Sequence, residues 1–265
     1  MQCTKQIFTA FVVSLLLALL AGCSQYAQKN PAEQVYNNGT SGVQATGGDE
    51  LARAGNFEKV EFKTEDGFTI YGNLLRGNKK AVLLLHQFTL DKSSYDSLAK
   101  KLEDSNFTVL AIDLRGHGES LDQNGQKRSY ADFSETDFRN MTKDVKAAKR
   151  NLQQQGYTLY AVVGASIGAN TALNYSAMGA SVERIILLSP GLNFKGIDTE
   201  IQGRSVRAKT LIVASDDDSY SFGSGKALQK IIAGSEFMGL TKAGHGTNMF
   251  RGTFLEEDIV KWLMK

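Results

Sequence analysis

Short apolar runs alternate with longer amphipathic stretches from residue 57 to the end of the chain. The apolar runs are rich in leucine and β-branched residues, as buried strands are: Ala81–His86, Phe107–Ile112, Leu159–Gly164, Ile185–Leu188, Leu211–Ala214 and Glu236–Leu240. Apolar residues at helical spacing predict helices at Ser94–Glu103, Phe138–Gln155, Ile167–Met178, Gly225–Ile232 and Phe254–Met264. The alternation indicates an α/β domain in which helices cover both faces of a mostly parallel sheet.

Two further strands, Val60–Lys63 and Phe68–Leu75, precede this pattern. They flank Asp66 and Gly67, a dipeptide that suits the positive φ angles of a tight turn. The sequence therefore predicts an antiparallel hairpin that opens an eight-stranded sheet. Ligands of such sheets bind beyond the carboxyl ends of the parallel strands, so residues that follow strands are candidates for chemistry.

The first 22 residues have the pattern of an export signal: Lys5 precedes an apolar run that is too short to favour a spanning helix. The run ends in Leu20-Ala21-Gly22-Cys23, which resembles the lipobox of bacterial lipoproteins and implies cleavage before Cys23 and its acylation. An ordinary signal peptide that ends by chance at a cysteine is the alternative. Residues 23–55 are rich in Asn, Gln, Gly, Ser and Thr and predict a flexible tether, which leaves residues 56–265 for the catalytic domain. We therefore expect an exported lipoprotein, anchored to a membrane of a bacterial cell envelope.

Composition narrows the classes of partner and cofactor. The 30 basic and 28 acidic residues are mixed along the chain, so nucleic acid is not an expected partner. Cys3 and Cys23 are the only cysteines, which leaves no thiol for a disulfide once Cys23 is acylated. The three histidines lie in separate motifs without His-Glu-x-x-His spacing, so neither a metal nor another cofactor is expected.

A candidate nucleophile lies in Gly164-Ala165-Ser166-Ile167-Gly168, which matches Gly-x-Ser-x-Gly. The pentapeptide alone is a weak signal, because glycine and serine are common in loops. Here it follows a predicted strand and opens a predicted helix, which is the context of a nucleophile elbow. In such an elbow a sharp turn exposes the serine hydroxyl, and small neighbours let the strand and helix approach each other.

A serine hydroxyl needs a base, and the base needs an acid that orients it. His245 lies between the last predicted strand and the last predicted helix, and is the candidate base. The candidate acids Asp216, Asp217 and Asp218 follow the strand Leu211–Ala214. Their order along the chain, Ser then Asp then His, differs from the order in chymotrypsin or subtilisin.

Two more segments resemble motifs of the α/β-hydrolases. Asp113-Leu114-Arg115-Gly116-His117-Gly118-Glu119-Ser120 is similar to a stretch that follows the fourth strand in many members, and His86-Gln87-Phe88 resembles their His-Gly-x turn, with Gln87 where glycine is common. The resemblance covers residues 58–265. It implies structural roles for Asp113, Arg115 and His117, and for His86 as a hydrogen-bonding residue rather than a second base.

The same resemblance implies site residues. The family's acid commonly lies three residues past a small residue at the strand end, and counting from Ser215 selects Asp218, with Asp217 as the alternative. The oxyanion hole would consist of the backbone N–H groups of Phe88 and Ile167. The resemblance thus implies an α/β-hydrolase fold that carries a Ser166–His245–Asp218 triad.

The segment Ser189–Lys209 is where this family inserts a cap, and it has only about twenty residues, in the range of functional loops. We therefore expect a minimal lid and an open site. Side chains that are candidates to line the pocket are Gln87, Phe88, Leu192, Phe194, Tyr220 and Phe222. The favoured function is hydrolysis of a small-molecule carboxylic ester or acyl substrate through an acyl-enzyme. A thioesterase, acyltransferase or peptidase would share the triad, and a binding protein that kept only the fold is the alternative from another class.

Overall fold

The computed structural model describes residues 57–265, and within them eight strands form one sheet. The strands are β1 (Glu58–Lys63), β2 (Thr69–Leu75), β3 (Lys80–Leu85), β4 (Thr108–Ile112), β5 (Thr158–Ala165), β6 (Arg184–Leu188), β7 (Lys209–Ser215) and β8 (Glu236–Leu240). Their order across the sheet is β1-β2-β4-β3-β5-β6-β7-β8. β2 pairs antiparallel with β1 and with β4, and the remaining pairs are parallel. The predicted opening hairpin and mostly parallel sheet are confirmed.

The helices connect these strands in chain order. They are α1 (Asp96–Asp104), α2 (Glu135–Arg139), α3 (Met141–Gln154), α4 (Ile167–Ala177), α5 (Glu200–Gly203), α6 (Ser219–Ile231) and α7 (Leu255–Met264). The helix expected at Phe138–Gln155 is two helices that meet at Asn140, because Ser134 and Asp137 form a capping box that starts α2 earlier. Helix α6 begins at Ser219 rather than Gly225, because the Asp218 carboxylate accepts a hydrogen bond from the N–H of Ser221 and caps it.

The central strands are buried on both faces of the sheet. In β3, every residue from Ala81 to Leu85 is buried, and in β5 every residue from Leu159 to Ala165. Such strands have nearly continuous apolar sequences because helices cover both faces. This rigid centre carries the turns that follow β3 and β5.

Two irregular insertions follow strands at the carboxyl edge of the sheet. Residues 122–139 follow β4 and contain a small hairpin and α2, while residues 189–208 follow β6 and contain a second small hairpin, Asn193–Phe194 with Ile197–Asp198, and α5. The second insertion is the short lid that the sequence predicts. The first was not predicted.

The predicted signal peptide, Cys23 and the tether up to residue 55 lie outside the described residues. Among the helices of residues 57–265, none combines the length and the apolar character that crossing a bilayer needs.

Candidate active site

Ser166 lies at the sharp turn between β5 and α4. Its backbone has φ 52° and ψ −113°, a conformation that a non-glycine residue adopts only at a cost of about 1–3 kcal/mol. The N–H of Ser166 donates to the carbonyl of Leu188 in the neighbouring strand at 2.8 Å, which holds the turn on the sheet. This strained strand–turn–helix geometry is that of a nucleophile elbow.

The two glycines of the elbow are required by close backbone approach. A Cβ on Gly164 would lie 2.2 Å from the carbonyl oxygen of Gly168, and a Cβ on Gly168 would lie 2.3 Å from that of Leu85. The first contact joins the strand to its own helix, and the second presses the start of α4 against the end of β3. The elbow is therefore packed directly on the turn that carries Gln87 and Phe88.

His245 and Asp218 are joined by a hydrogen bond of 2.6 Å between Nδ1 and Oδ2. Burial alone raises the pKa of Asp218, but the hydrogen bonds from His245 and Ser221 outweigh it and leave that pKa below its usual value. Asp218 is therefore an anion at neutral pH. An anion at Nδ1 keeps the proton on that nitrogen and leaves Nε2 as the basic atom.

The neighbouring aspartates bind the backbone of the His245 loop instead of its imidazole. Asp217 Oδ1 accepts from the N–H of Gly244 at 3.1 Å, and Asp216 Oδ1 from the N–H of Lys242 at 2.9 Å. Ser215 Oγ accepts from the N–H of Ala243 at 2.8 Å and donates to Asp217. Of the three candidate acids, the structure thus brings Asp218 to the base.

The loop that carries His245 lies against the elbow. The N–H of Gly246 donates to Ser189 Oγ at 2.9 Å, and a Cβ on Gly246 would lie 3.5 Å from the Cβ of Ala165. The residue after His245 is therefore in contact with the residue before Ser166. This contact brings the predicted nucleophile and base to one place on the carboxyl edge.

The predicted oxyanion donors lie on two backbone segments that meet beside Ser166. Ile167 is the first residue of α4, where N–H groups have no partner within the helix. Phe88 lies in a turn closed by a hydrogen bond from Leu90 N to the carbonyl of Gln87 at 3.2 Å, in which Thr89 has φ 68°. Because α4 packs on the end of β3, the two segments are neighbours, and their roles as donors stay predictions.

The other two histidines are buried and engaged with the backbone. His86 Nδ1 lies 2.8 Å from the carbonyl of Gln87, and its Nε2 accepts from the N–H of Leu114 at 3.0 Å. His117 Nδ1 lies 3.0 Å from the carbonyl of Arg115. Burial lowers the pKa of each to about 4, so both are neutral at physiological pH. These contacts suit the structural roles that the sequence implied.

The Asp113–Ser120 segment is held by buried ion pairs. Asp113 accepts from Lys92 Nζ at 2.7 Å, and Arg115 pairs with Asp144 at 2.7 Å and with Asp66 at 2.8 Å. Both Asp113 and Asp144 are fully buried, so their charges need these partners. The segment is thereby fixed beside the turn after β3, where the N–H of Leu114 donates to His86 Nε2.

Aromatic side chains surround Phe88. Its ring centroid lies 5.0 Å from that of Tyr130, 6.0 Å from Phe138 and 5.7 Å from Phe194. The Lys195 ammonium lies 5.6, 6.0 and 5.8 Å from the rings of Phe88, Phe138 and Phe194. We call Phe88, Tyr130, Phe138 and Phe194 the aromatic cluster. Neither Tyr130 nor Phe138 was predicted to lie near the site: Tyr130 lies in a polar stretch without apolar period, and Phe138 was predicted only as the start of a helix.

Of the remaining pocket candidates, Leu192 lies at the start of the lid with Tyr220 beside it, and Phe222 lies against β8. Tyr220 OH donates to the carbonyl of Asn193 at 2.9 Å, so it supports the start of the lid beside the half-buried Leu192. Phe222 packs instead on Phe237 of β8, with ring centroids 5.4 Å apart. Across residues 57–265, no set of three or more His, Cys, Asp or Glu side chains is grouped as metal ligands are.

Comparisons with known proteins identify similar chains. The model of the family described as serine aminopeptidase, S33 matches residues 76–219, more than half of the chain. A Bacillus subtilis protein, the AB hydrolase superfamily protein YisY, is 30% identical over 129 residues, which cover 48% of this chain and 43% of YisY. The matched part thus spans less than half of that relative.

Solved structures share the fold at low sequence identity. An esterase of Pyrococcus furiosus superposes with a TM-score of 0.66 and 16% identity, over 84% of this chain and 96% of its own. An esterase of Exiguobacterium antarcticum gives 0.65 and 16%, over 78% of this chain and 100% of its own. The match extends over nearly all of both esterases, so the sheet and its helices form an α/β-hydrolase fold.

Proposed function

Since the chain belongs to the serine aminopeptidase S33 family of α/β-hydrolases, we propose that this hydrolase cleaves carboxylic esters through an acyl-enzyme formed on Ser166. The observation that supports the proposal most is the 2.6 Å hydrogen bond from His245 to Asp218, on a loop packed against the strained elbow of Ser166. An acid, a base and an alcohol arranged in this way form the apparatus of acyl transfer.

In the proposed mechanism, Ser166 Oγ attacks the acyl carbon while His245 Nε2 takes the hydroxyl proton. Asp218 stabilises the imidazolium that results, and the N–H groups of Ile167 and Phe88 stabilise the oxyanion. The imidazolium then gives its proton to the leaving alkoxy oxygen, and the ester C–O bond breaks. Water, deprotonated by the same imidazole, attacks the acyl-enzyme and releases the acid and Ser166.

The short lid favours small or exposed acyl groups. Only a small hairpin and α5 lie between β6 and β7, and so short a segment leaves little chain with which to enclose a long acyl group. The aromatic cluster gives the site an apolar wall beside Phe88. Leu192, at the start of the lid, and Tyr220 beside it complete the proposed surroundings of the substrate.

A substrate panel tests this proposal. Purified protein is assayed with p-nitrophenyl acetate, butyrate and octanoate, and with aminoacyl p-nitroanilides because the family description names an aminopeptidase. We expect turnover of the short esters that disappears in Ser166→Ala. Turnover of the anilides alone would replace the ester proposal with a peptidase, and ester turnover that survives in Ser166→Ala would contradict the mechanism.

We also propose that the protein is exported and anchored to a membrane through a lipid on Cys23. The lipobox-like residues 20–23 and the polar stretch that follows support this proposal. In cell fractionation, the wild type should sediment with membranes and Cys23→Ser should appear in the soluble fraction. Identical fractionation of the two proteins would reject the anchor.

A further inference from the structure

The side chain of Gln87 joins two segments of the proposed site. One is the turn that carries Phe88, here called the oxyanion turn, and the other is the loop that carries His245, here called the base loop. Gln87 Oε1 accepts hydrogen bonds from the N–H of Thr247 at 2.9 Å and from the Thr247 hydroxyl at 3.2 Å. The side chain is buried, with 7% of Gln87 exposed. Gln87 directly precedes Phe88 in the chain, and Thr247 lies two positions after His245. One carboxamide therefore links the two segments on which the proposed oxyanion donor and base lie.

The base loop has room for this carboxamide only because residue 246 is glycine. A Cβ on Gly246 would lie 2.1 Å from Gln87 Oε1 and 2.9 Å from Gln87 Cδ. Gly246 also has φ 60°, which glycine adopts without strain. Its N–H donates to Ser189 Oγ. The loop after His245 is thus held at two successive amides by side chains from other loops.

These contacts act on the opposite side of His245 from Asp218. Asp218 fixes the imidazole through Nδ1, while Gln87 and Ser189 fix the backbone that follows the imidazole. A glycine at position 87 has no side chain to reach Thr247. The glutamine in this sequence therefore adds a connection that a His-Gly-x turn lacks.

We propose that Gln87 is a positioning residue for His245, an inference that rests on the proposed function. It holds the base loop at a fixed distance from the oxyanion turn, so that proton transfer and oxyanion stabilisation occur in one geometry. Loss of the carboxamide oxygen leaves the Thr247 N–H without its buried acceptor and lets the loop shift. A displacement of about 1 Å in a catalytic group lowers turnover by up to about 100-fold.

The test compares Gln87→Met, which keeps the length but removes the acceptor, with Gln87→Glu, which keeps an acceptor oxygen. Gln123→Met is the matched control, because the Gln123 carboxamide also joins two loops, through Asp66 and Arg128, away from Ser166. Each protein is assayed for kcat and KM with p-nitrophenyl acetate and for the rate of covalent labelling by a fluorophosphonate. Thermal melting verifies that each is folded.

We expect Gln87→Met to lower kcat and the labelling rate by about 10- to 100-fold while KM stays near the wild-type value. Gln87→Glu should recover most of the loss, and Gln123→Met should match the wild type. A normal kcat in Gln87→Met, a change in KM alone, or a Glu variant no better than the Met variant would overturn the proposal. A raised KM alone would make Gln87 a pocket residue.

Gly246→Ala tests the same contact with Gln87 intact, and it decides the matter if Gln87→Met fails to fold. The added methyl group displaces Oε1, so kcat and labelling should fall as in Gln87→Met. Wild-type rates in Gly246→Ala would contradict the proposal. Failure of the proposed function gives a different result: the wild type itself would not be labelled, whereas failure of the Gln87 inference leaves a labelled wild type.

Discussion

The proposed acid–base side of the site, around His245, and its proposed oxyanion side, around Phe88, are held by different kinds of contact. On the acid–base side, the side chains of Ser215, Asp216, Asp217 and Asp218 each accept a hydrogen bond from residues 242–245. On the oxyanion side, Phe88 is surrounded by the other three rings of the aromatic cluster. Hydrogen bonds fix direction, whereas ring contacts mainly fill volume.

The two kinds of contact suit two different tasks, orientation of the imidazole and accommodation of the acyl group. An imidazole must be oriented within a narrow angle to transfer a proton, and a row of directional contacts provides that orientation. An acyl group needs an apolar wall of suitable shape, and we propose that the rings of the aromatic cluster provide it. Changes on the acid–base side should therefore lower turnover, and changes on the oxyanion side should alter substrate preference and stability.

The largest effect is expected for the acid. Asp218→Asn should lower kcat by about 10⁴-fold, because an amide no longer holds the imidazole in the productive tautomer. Asp217→Asn should lose far less, because an amide oxygen still accepts from Gly244. Steady-state kinetics of the two variants make the comparison, and an equal loss in both would refute the assignment of Asp218.

The buried histidines on the oxyanion side should make the fold sensitive to acid. The pKa of His86 and of His117 is about 4 in the folded protein because of burial, and about 6.5 in the unfolded chain. Between these values the unfolded chain binds more protons, so stability is complete above pH 6.5 and declines as the pH falls. The loss by pH 4 should be on the order of a few kcal/mol.

Urea unfolding between pH 7 and pH 4 measures this loss. His117→Phe keeps a ring against Tyr130 but removes one titrating group, so its stability should depend less on pH in this range. An unchanged pH dependence in His117→Phe would contradict this account, because it would show that folding does not shift the pKa of His117.

The elbow lies between the two sides, and changes in its packing should have the next largest effect, on the free energy of unfolding. Gly168→Ala places a Cβ against the carbonyl of Leu85 and should lower the free energy of unfolding by about 1–3 kcal/mol. Gly223→Ala is the matched control, since Gly223 lies in α6 and its Cβ would meet no atom within 4 Å among the described residues. It should stabilise the protein by about 0.5–1 kcal/mol. Chemical denaturation of both variants compares the sites, and a neutral Gly168→Ala would contradict the close approach.

The smallest effect is expected in the aromatic cluster. Phe194→Leu removes ring contacts with Phe88 and should cost about 1 kcal/mol of stability. It should change the relative KM values of short and long p-nitrophenyl esters with little change in kcat. A fall in kcat with no change in KM would show that this side also orients the reacting groups.

The sequence predicted the parts of this comparison that depend on local pattern. The elbow follows from glycine spacing between a strand and a helix, and His245 follows from its place after the last strand. Adjacent aspartates look alike in sequence, and the family's spacing favoured Asp218 over Asp217. In the structure Asp218 caps α6 and bonds to the imidazole of His245. The cluster around Phe88 depends on contacts between insertions that are distant in the chain. Hydrophobic periodicity within one segment does not indicate such contacts.

Every step of the proposed mechanism depends on activation of the Ser166 alcohol by His245. Mass spectrometry after fluorophosphonate treatment tests it most directly, because the probe reacts with an activated serine and the modified peptide can be sequenced. We expect one adduct, on Ser166, that is absent in Ser166→Ala and formed far more slowly in His245→Ala. An adduct on another residue, or labelling of Ser166 at the wild-type rate in His245→Ala, would contradict it.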